Sequence, residues 1–516
     1  MKALVGIDLG TTYSALAALD SLGKPSLIPN QEGERLTPSV IAFAENDPPE
    51  LVLVGREAKH LRDLEPENVV TDVKRDMGEG GKEWRYRGRQ YRPEELSALI
   101  LRKLSQDAEN QIGKVRDVVI TVPAYFAESH RRATMDAGEL AGLRVAAIIN
   151  EPTAAALFYA TNHNINGNII VFDLGGGTFD VTVMKVAGRS IDIIASEGDR
   201  HLGGTDFDQV LANIVNRKAR AETGTPAFSS KTELKKFLNQ AEERKKALSV
   251  RPNQRILLQN ENGRTQVLLT REEFEEGISP LVAKAEMLVE AVLDEANLEP
   301  NEITKVLLVG GSSRIPFVQR RLEAIFGFPP VTEVNLDEAV ACGAAVYSGL
   351  SSLRDGAAFI PAGVRSGLSD VRLVEVANHS YGTIVVSSDD ETHRQILAND
   401  ILIPKGSSLP CNEKRTYYTM VDGQQSIGVQ ITQGESTDPD HVNVIHQEDM
   451  DLPPNRPAGR PIEVTYSYDR NQRMACSFRD AESGVEMNVK LSSMDGTLES
   501  ESKRTSRAAL EEFYIE

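Results

Sequence analysis

Two stretches of this 516-residue chain have the same shape. One is Ile7-Asp8-Leu9-Gly10-Thr11-Thr12-Tyr13-Ser14; the other is Phe172-Asp173-Leu174-Gly175-Gly176-Gly177-Thr178-Phe179-Asp180. Each carries an apolar strand into an Asp, then a hydroxylated Gly-containing turn, then a second apolar stretch (15–19 and 181–184). Each reads as a hairpin, and two copies predict a duplicated architecture with two similar lobes facing a cleft. Apolar runs at 118–122, 169–172 and 306–309 read as buried strands. Helical stretches at 128–142, 205–222 and 231–249 lie between or beside them. Strand and helix alternate as in an α/β region, here over 1–355.

The turns suggest chemistry. A Gly-rich turn leaves backbone N–H groups free to point at phosphate oxygens, and Gly175, Gly176 and Gly177 remove the Cβ atoms that would block approach. Hydroxyls at Thr11, Thr12 and Thr178 suit phosphate or metal-bound water. Asp8 and Asp173 are hard oxygen ligands of the kind Mg²⁺ accepts, usually through water. Either turn alone would be an ordinary tight turn; both together predict a clamp on a polyphosphate and its metal. A third glycine site, Val309-Gly310-Gly311-Ser312-Ser313-Arg314, follows a strand and precedes a helix, so a flat ligand can approach the backbone and Arg314 can stack on it. Asp337 starts another helix and is equally readable as an N-cap. Glu242, Lys245, Lys246 and Ser249 share one helix face, ordinarily a solvated one. Glu151 before Pro152 reads as a helix entry, and Lys74 alone would be an unremarked lysine.

Beyond about 351 the character changes. Residues 351–356 and 361–363 read as a connector, followed by a short, mostly apolar segment, 371–376. Then the period becomes two: Ile427, Val429, Ile431; Ile462, Val464, Tyr466, Tyr468; Met487, Val489, Leu491. That predicts an antiparallel β-domain. Residues 500–516 have room for one short helix. The net charge of −19 argues against nucleic acid and anionic membranes as partners. Cys342, Cys411 and Cys476 show no paired spacing, which excludes a disulfide framework and a zinc site. No apolar run reaches membrane-spanning length and the N-terminus does not read as a signal peptide, so the cytoplasm is the expected compartment.

These residues match a family. IDLGTTYS, VITVPAYF, INEPTAAAL, FDLGGGTFDV, LGGTDFD and VGGSSRIP, in that order across 1–350, resemble the Hsp70-type proteins of the actin/hexokinase-like ATPase superfamily. The match continues more weakly over 371–495. The resemblance implies a two-lobed actin-like ATPase domain (1–355), a connector and interdomain linker (356–376), an all-β antiparallel sandwich that binds substrate (377–497), and a very short tail or lid remnant (498–516). It implies ATP/ADP with Mg²⁺, and allows K⁺ beside it. Asp8 and Asp173 match the metal-site aspartates. Lys74 matches the lysine that stabilises charge on the transferring phosphoryl group, with Glu151, Asp173, Thr178 and Asp180 as its catalytic companions. Thr11, Thr12, Gly175, Gly176, Gly177 and Thr178 match phosphate binders. Glu242, Lys245, Lys246, Ser249, Gly311, Arg314 and Asp337 match the adenosine site, and Gly10, Tyr13, Gly203, Gly204, Gly310 and Ser312 complete the implied nucleotide contacts. Pro123 and Arg131 match a relay to the substrate domain.

The implied function is an ATP-dependent chaperone for unfolded or extended polypeptides, with slow intrinsic ATP hydrolysis. A J-domain co-chaperone and a nucleotide exchange factor are the implied partners, and a monomer is expected. Val386 and Met420 align near the arch over the family's peptide pocket, and Ile427 and Val429 inside it; plain sheet core is an equal reading. Four features depart from the family. Arg372 interrupts an apolar linker, the segment 78–92 is short, the loop 387–395 is long and acidic, and a long helical lid is missing. Without a lid, fast peptide exchange is expected even with ADP. Two other readings are a nucleotide-responsive, exchange-factor-like regulator and a small-molecule kinase of the same superfamily; the β-domain argues against the second.

Overall fold

The structure, a computed structural model, describes residues 3–43, 48, 50–163, 165–260, 263–331, 336–356, 360–388, 394–470, 472–491 and 500–516. Both Gly-containing motifs are hairpins. In the first lobe, Val5–Asp8 pairs antiparallel with Tyr13–Leu19 and parallel with Asp117–Val122. In the second lobe, Asn166–Leu174 pairs antiparallel with Phe179–Ala187 and parallel with Ile303–Val309. A further antiparallel strand flanks each hairpin, Pro25–Leu27 in one lobe and Ser190–Asp199 in the other. The repeat seen in the sequence is therefore a repeat of sheet topology. Each sheet is buried on both faces, which is why its central strands are continuously apolar.

Helices Glu151–Asn162 and Leu336–Arg354 cross between the lobes. Small residues allow this. A Cβ on Gly343 would sit 1.8 Å from the Ala154 carbonyl oxygen, and one on Gly6 would sit 2.1 Å from the Ala345 nitrogen. Ala15, Ala17, Ala341, Cys342 and Ala345 fill the adjoining core. The region expected to be connector is more ordered than its composition suggested. Leu336–Arg354 runs through 351–354, and Ala362–Leu368 is a helix with Val364 and Leu368 in the interlobe core. Burial of those two side chains overrides the turn-like composition around them.

Arg372–Val374 adds a parallel strand to the second-lobe sheet beside Ser190–Asp199. Leu373 is buried while Arg372 points to solvent. An edge strand has one outward side, so the arginine that interrupts the apolar linker is accommodated there. Beyond it lie two four-stranded antiparallel sheets. One orders Gln395–Ile403, Tyr381–Ser388, Ser426–Gln433, Asn443–Asp451; the other Cys411–Tyr418, Pro461–Tyr468, Met474–Asp480, Glu486–Lys490. Tyr381, Leu402, Val429 and Ile431 from the first share a core with Ile462, Val464, Tyr466 and Phe478 from the second. The Tyr466 hydroxyl donates to the Gly382 carbonyl across it at 2.8 Å. The central part of the acidic loop, 389–393, lies outside the described residues.

The C-terminal segment differs from the expected single helix. Ser500–Glu511 is helical, but Tyr514–Ile515 is a strand parallel to Leu51–Val54 of the first lobe. In the described residues no helix is long and apolar enough to cross a membrane.

Candidate functional site

The two hairpin turns face one another across a cleft of about 1030 Å³. Their fit is reciprocal. A Cβ on Gly176 would lie 1.9 Å from Thr12 Oγ1, and one on Gly177 2.7 Å from the Thr11 side chain. The second turn leaves the space that the hydroxyls of the first turn fill. Gly203 continues this packing, since its Cβ would meet the Gly177 nitrogen at 2.6 Å. Gly310 has φ +78°, and a side chain there would strike the Leu174 carbonyl and Asp173. At Gly311 nothing lies within 4 Å of a built Cβ, which leaves the backbone open to a ligand.

At the floor, Lys74 is buried and donates to Glu151. Burial alone would lower its ammonium pKa, but Glu151, then Asp8 and Asp173, hold it above the ordinary value. Burial, followed by repulsion from Glu151, Asp180 and Asp8, pushes the Asp173 carboxyl well above the usual range. Burial and Glu151 push Asp180 up to about 7, although the Tyr125 N–H donates to it at 3.1 Å. Thr121 donates to Asp8 at 3.1 Å. Carboxylate charge thus exceeds the local cationic charge, and these hard oxygens fit a divalent ion. Among the described residues no three such side chains converge closely enough to hold a metal directly. Water would complete the shell, as Mg²⁺ prefers.

Higher in the cleft, Tyr13 donates to Glu242 at 3.2 Å, and Lys59 reaches both of them at 2.6 and 3.3 Å. Lys246 lies 2.8 Å from Glu242. Burial opposes ionisation of Glu242, yet Lys246 and Lys59 bring its carboxyl down to about 2. Lys245 donates to the Gly204 carbonyl at 2.7 Å and pairs with Asp208 at 3.0 Å. Arg75–Asp206 (3.2 Å) and Thr205–Asp72 (3.1 Å) also join the lobes.

Of the residues singled out in the sequence, Asp8, Gly10, Thr11, Thr12, Tyr13, Lys74, Glu151, Asp173, Gly175, Gly176, Thr178, Gly204, Glu242, Lys245, Lys246, Ser249, Gly310, Gly311, Ser312 and Arg314 line this one cleft. Gly177, Gly203 and Asp180 pack just behind it. Asp337 falls in the first turn of Leu336–Arg354, but its side chain lies outside the described residues. The site residues not singled out in the sequence are Lys59, Arg75 and Asp206, on lobe-bridging contacts, and Asp208, which pairs with Lys245 within the second lobe. Charged residues on surface-like helices carry no local signal of a partner in the other lobe.

A family model, Hsp70 protein, matches residues 4–84 and 80–513. The chain belongs to the Hsp70 family. Membership implies nucleotide binding with Mg²⁺, ATPase activity and ATP-dependent chaperone activity, and the family generally binds unfolded polypeptides and co-chaperones. Against that background the contacts between the β-domain and the lobes gain interest. In this Hsp70, Arg131 donates to the side-chain oxygen of Gln472, which sits in a hairpin of the β-domain at φ +56°. The same guanidinium donates to Asn150 Oδ1 at 2.7 Å and to the Ala124 and Phe126 carbonyls at 3.1 Å. Asn150 directly precedes Glu151. Asn378 donates to the Ala124 carbonyl at 3.0 Å, and Lys405 bridges Glu197 and Glu295 at 2.6 and 2.8 Å. Burial pushes Glu375, in the linker, up to about 7.

Around the expected peptide site the picture is divided. Val386 and Met420 are 45% and 46% exposed. Val429 is fully buried between the two sheets, so it belongs to the core, and Ile427 is half-buried at the core's edge. Alternation along a strand cannot distinguish a pocket wall from a sheet interior, because both face the same way.

Proposed function

We propose that the chain binds ATP in the interlobe cleft, hydrolyses it with water, and uses the nucleotide state to control an extended polypeptide held by its β-domain. The observation that carries this reading is the buried Lys74 among Asp8, Glu151, Asp173 and Asp180, at the floor of the cleft beneath two interlocking Gly-containing turns. Phosphoryl transfer needs positioning and charge stabilisation more than covalent help. Lys74 would meet charge developing on the γ-phosphoryl oxygens. Glu151 and Asp180 would orient the attacking water, with Thr178 beside them. The turn N–H groups and the hydroxyls of Thr11 and Thr12 would hold the phosphates. Glu242, Lys245, Lys246, Ser249 and Arg314 would hold the adenosine. Asp8 and Asp173 would take Mg²⁺ through water, and the ion, when bound, supplies neutralising charge on the phosphates.

The β-domain supports peptide binding by its open edge. Among the described residues, Tyr381–Ser388 pairs with Ser426–Gln433 only over 381–383, so the backbone of 384–388 is not paired on that side. An extended segment can add to such an edge, with the exposed apolar side chains of Val386 and Met420 beside it. The path Gln472–Arg131–Asn150–Glu151 links this domain to the catalytic floor. A regulator that only senses nucleotide would not need the Lys74–Glu151 pair, so hydrolysis is the favoured reading.

The test is the affinity of a labelled unfolded peptide by fluorescence anisotropy, with ADP and then with ATP and Mg²⁺. Weaker binding in ATP is expected. Equal affinity in both, with phosphate release intact, would leave an ATPase whose β-domain serves another partner. Phosphate release that required an added metabolite would point to the kinase reading instead.

A further inference from the structure

The catalytic cycle makes no use of residues 500–516, yet they are built into the first lobe. Helix Ser500–Glu511 lies against helices Pro93–Ile112 and Glu128–Leu140. Leu510 is buried in the same core as Phe43, Val52 and Tyr91. The Phe513 ring packs 6.4 Å from that of Tyr91, under the Arg89 guanidinium. The strand that follows is held by backbone bonds. The Tyr514 N–H donates to the Glu50 carbonyl at 2.7 Å, the Glu516 N–H to Val52 at 3.2 Å, and the Val54 N–H to the Glu516 carbonyl at 2.8 Å. Lys503 pairs with Asp136 and, at 3.2 Å, with Glu139, while Arg102 donates to the Leu510 carbonyl.

We propose that residues 500–516 form a clasp on the first lobe which, together with the linker on the second lobe, ties the β-domain to the ATPase at both of its ends. The strand Arg372–Val374 enters the β-domain from the second-lobe sheet, and Tyr514–Ile515 leaves it onto a first-lobe sheet. If only the linker lets go, the clasp keeps it near its dock at high effective concentration, so it rebinds quickly. Separation of the domains requires both strands to peel. The clasp also covers the edge of Leu51–Val54 opposite the one that pairs with Ile41–Ala42. Open edges invite pairing with other chains, so the cover has a second use.

Amide hydrogen exchange on the full chain without nucleotide tests this independently of hydrolysis and of peptide binding. The Val54 amide reports the clasp, and the Arg372 amide, bonded to the Arg189 carbonyl at 3.0 Å, reports the linker. Tyr514→Pro removes one backbone donor from an exposed residue, and Lys503→Ala removes the ion pair without touching the core. In the wild type both amides should be protected. In the double variant, Val54 should exchange at least ~10-fold faster and Arg372 at least ~3-fold faster, with the 118–122 amides unchanged as a check on the fold. Lys503→Ala alone should give smaller changes of the same sign and decides the matter if the double variant does not fold. Rapid exchange at Val54 in the wild type would overturn the clasp. Release of Val54 with no change at Arg372 would overturn its role as a tether.

Discussion

The two hairpins share a topology and differ in almost everything else. Opposite Asp8, the first places Ala15; opposite Asp173, the second places Asp180. The first turn brings hydroxyls, and the second brings empty space for them. The second hairpin carries both carboxyls that are pushed up, by burial first and by Glu151 next, with Asp180 adding to the repulsion at Asp173. After duplication the copies became complementary rather than equivalent. One supplies filling groups and a lone acid; the other supplies clearance and a charge excess that Lys74 and a divalent ion can offset.

Removing the shared cation should break this arrangement most severely. Lys74→Ala is expected to lower single-turnover ATP hydrolysis by about 10²-fold or more, the scale of losing one transition-state charge stabiliser. ATP binding, by equilibrium titration, should stay largely intact. A near-normal single-turnover rate would take Lys74 out of the mechanism. The steric half of the comparison is sharpened by Gly176→Ala. The added methyl group overlaps Thr12 Oγ1, and thermal unfolding without nucleotide should show a loss of about 1–3 kcal/mol. Thr12→Ala in the same chain should recover much of it, because it removes the overlapping atom. Failure of that rescue would mean the turns do not interlock in solution.

The charge excess predicts a pH dependence. The folded-state pKa of Asp180 is raised from 3.8 to about 7, so the folded protein binds this proton more tightly than the unfolded chain does. Stability of the metal-free, nucleotide-free protein should therefore fall as pH rises between about 4 and 7. Asp180→Asn keeps an acceptor for the Tyr125 N–H but removes the charge. It should flatten that slope and stabilise the empty protein at pH 8 by on the order of 1–2 kcal/mol in chemical denaturation. An unchanged slope would place the titration elsewhere. The smallest effect is expected at the mouth of the cleft. Glu242→Gln weakens the bridges to Lys59 and Lys246 and should speed ADP release by roughly 5-fold in a stopped-flow chase, as for the loss of about 1 kcal/mol.

The two turns that face the cleft were legible in the sequence because their residues are local: a strand end, an Asp and a Gly-containing turn sit within ten residues of each other. The paired β-sheets were legible through period-two burial, as in Ile462, Val464, Tyr466 and Tyr468. What escaped was long-range. Lys59 and Glu242 lie 183 residues apart and meet only across the cleft, and Gln472 meets Arg131 from a left-handed turn in a distant hairpin. Tyr514–Ile515 is too short to show any period, and its partner strand lies at the opposite end of the sequence. Arg372 misled for a related reason: polarity was read as a property of the linker, when only one side of an edge strand is buried.

The crossing of Glu151–Asn162 and Leu336–Arg354 has a mechanical consequence. With Gly343 against the Ala154 backbone and Gly6 against Ala345, main chain meets main chain with no side chain between to compress or change rotamer. A contact of that kind has no slack along the line joining the two helices. The lobes can pivot about it but cannot draw apart without opening a void, so the cleft behaves like a hinge with a fixed pin. A single methyl group at position 343 would act as a wedge in the bearing, altering the resting angle of the whole machine from a point remote from the nucleotide's bases and phosphates.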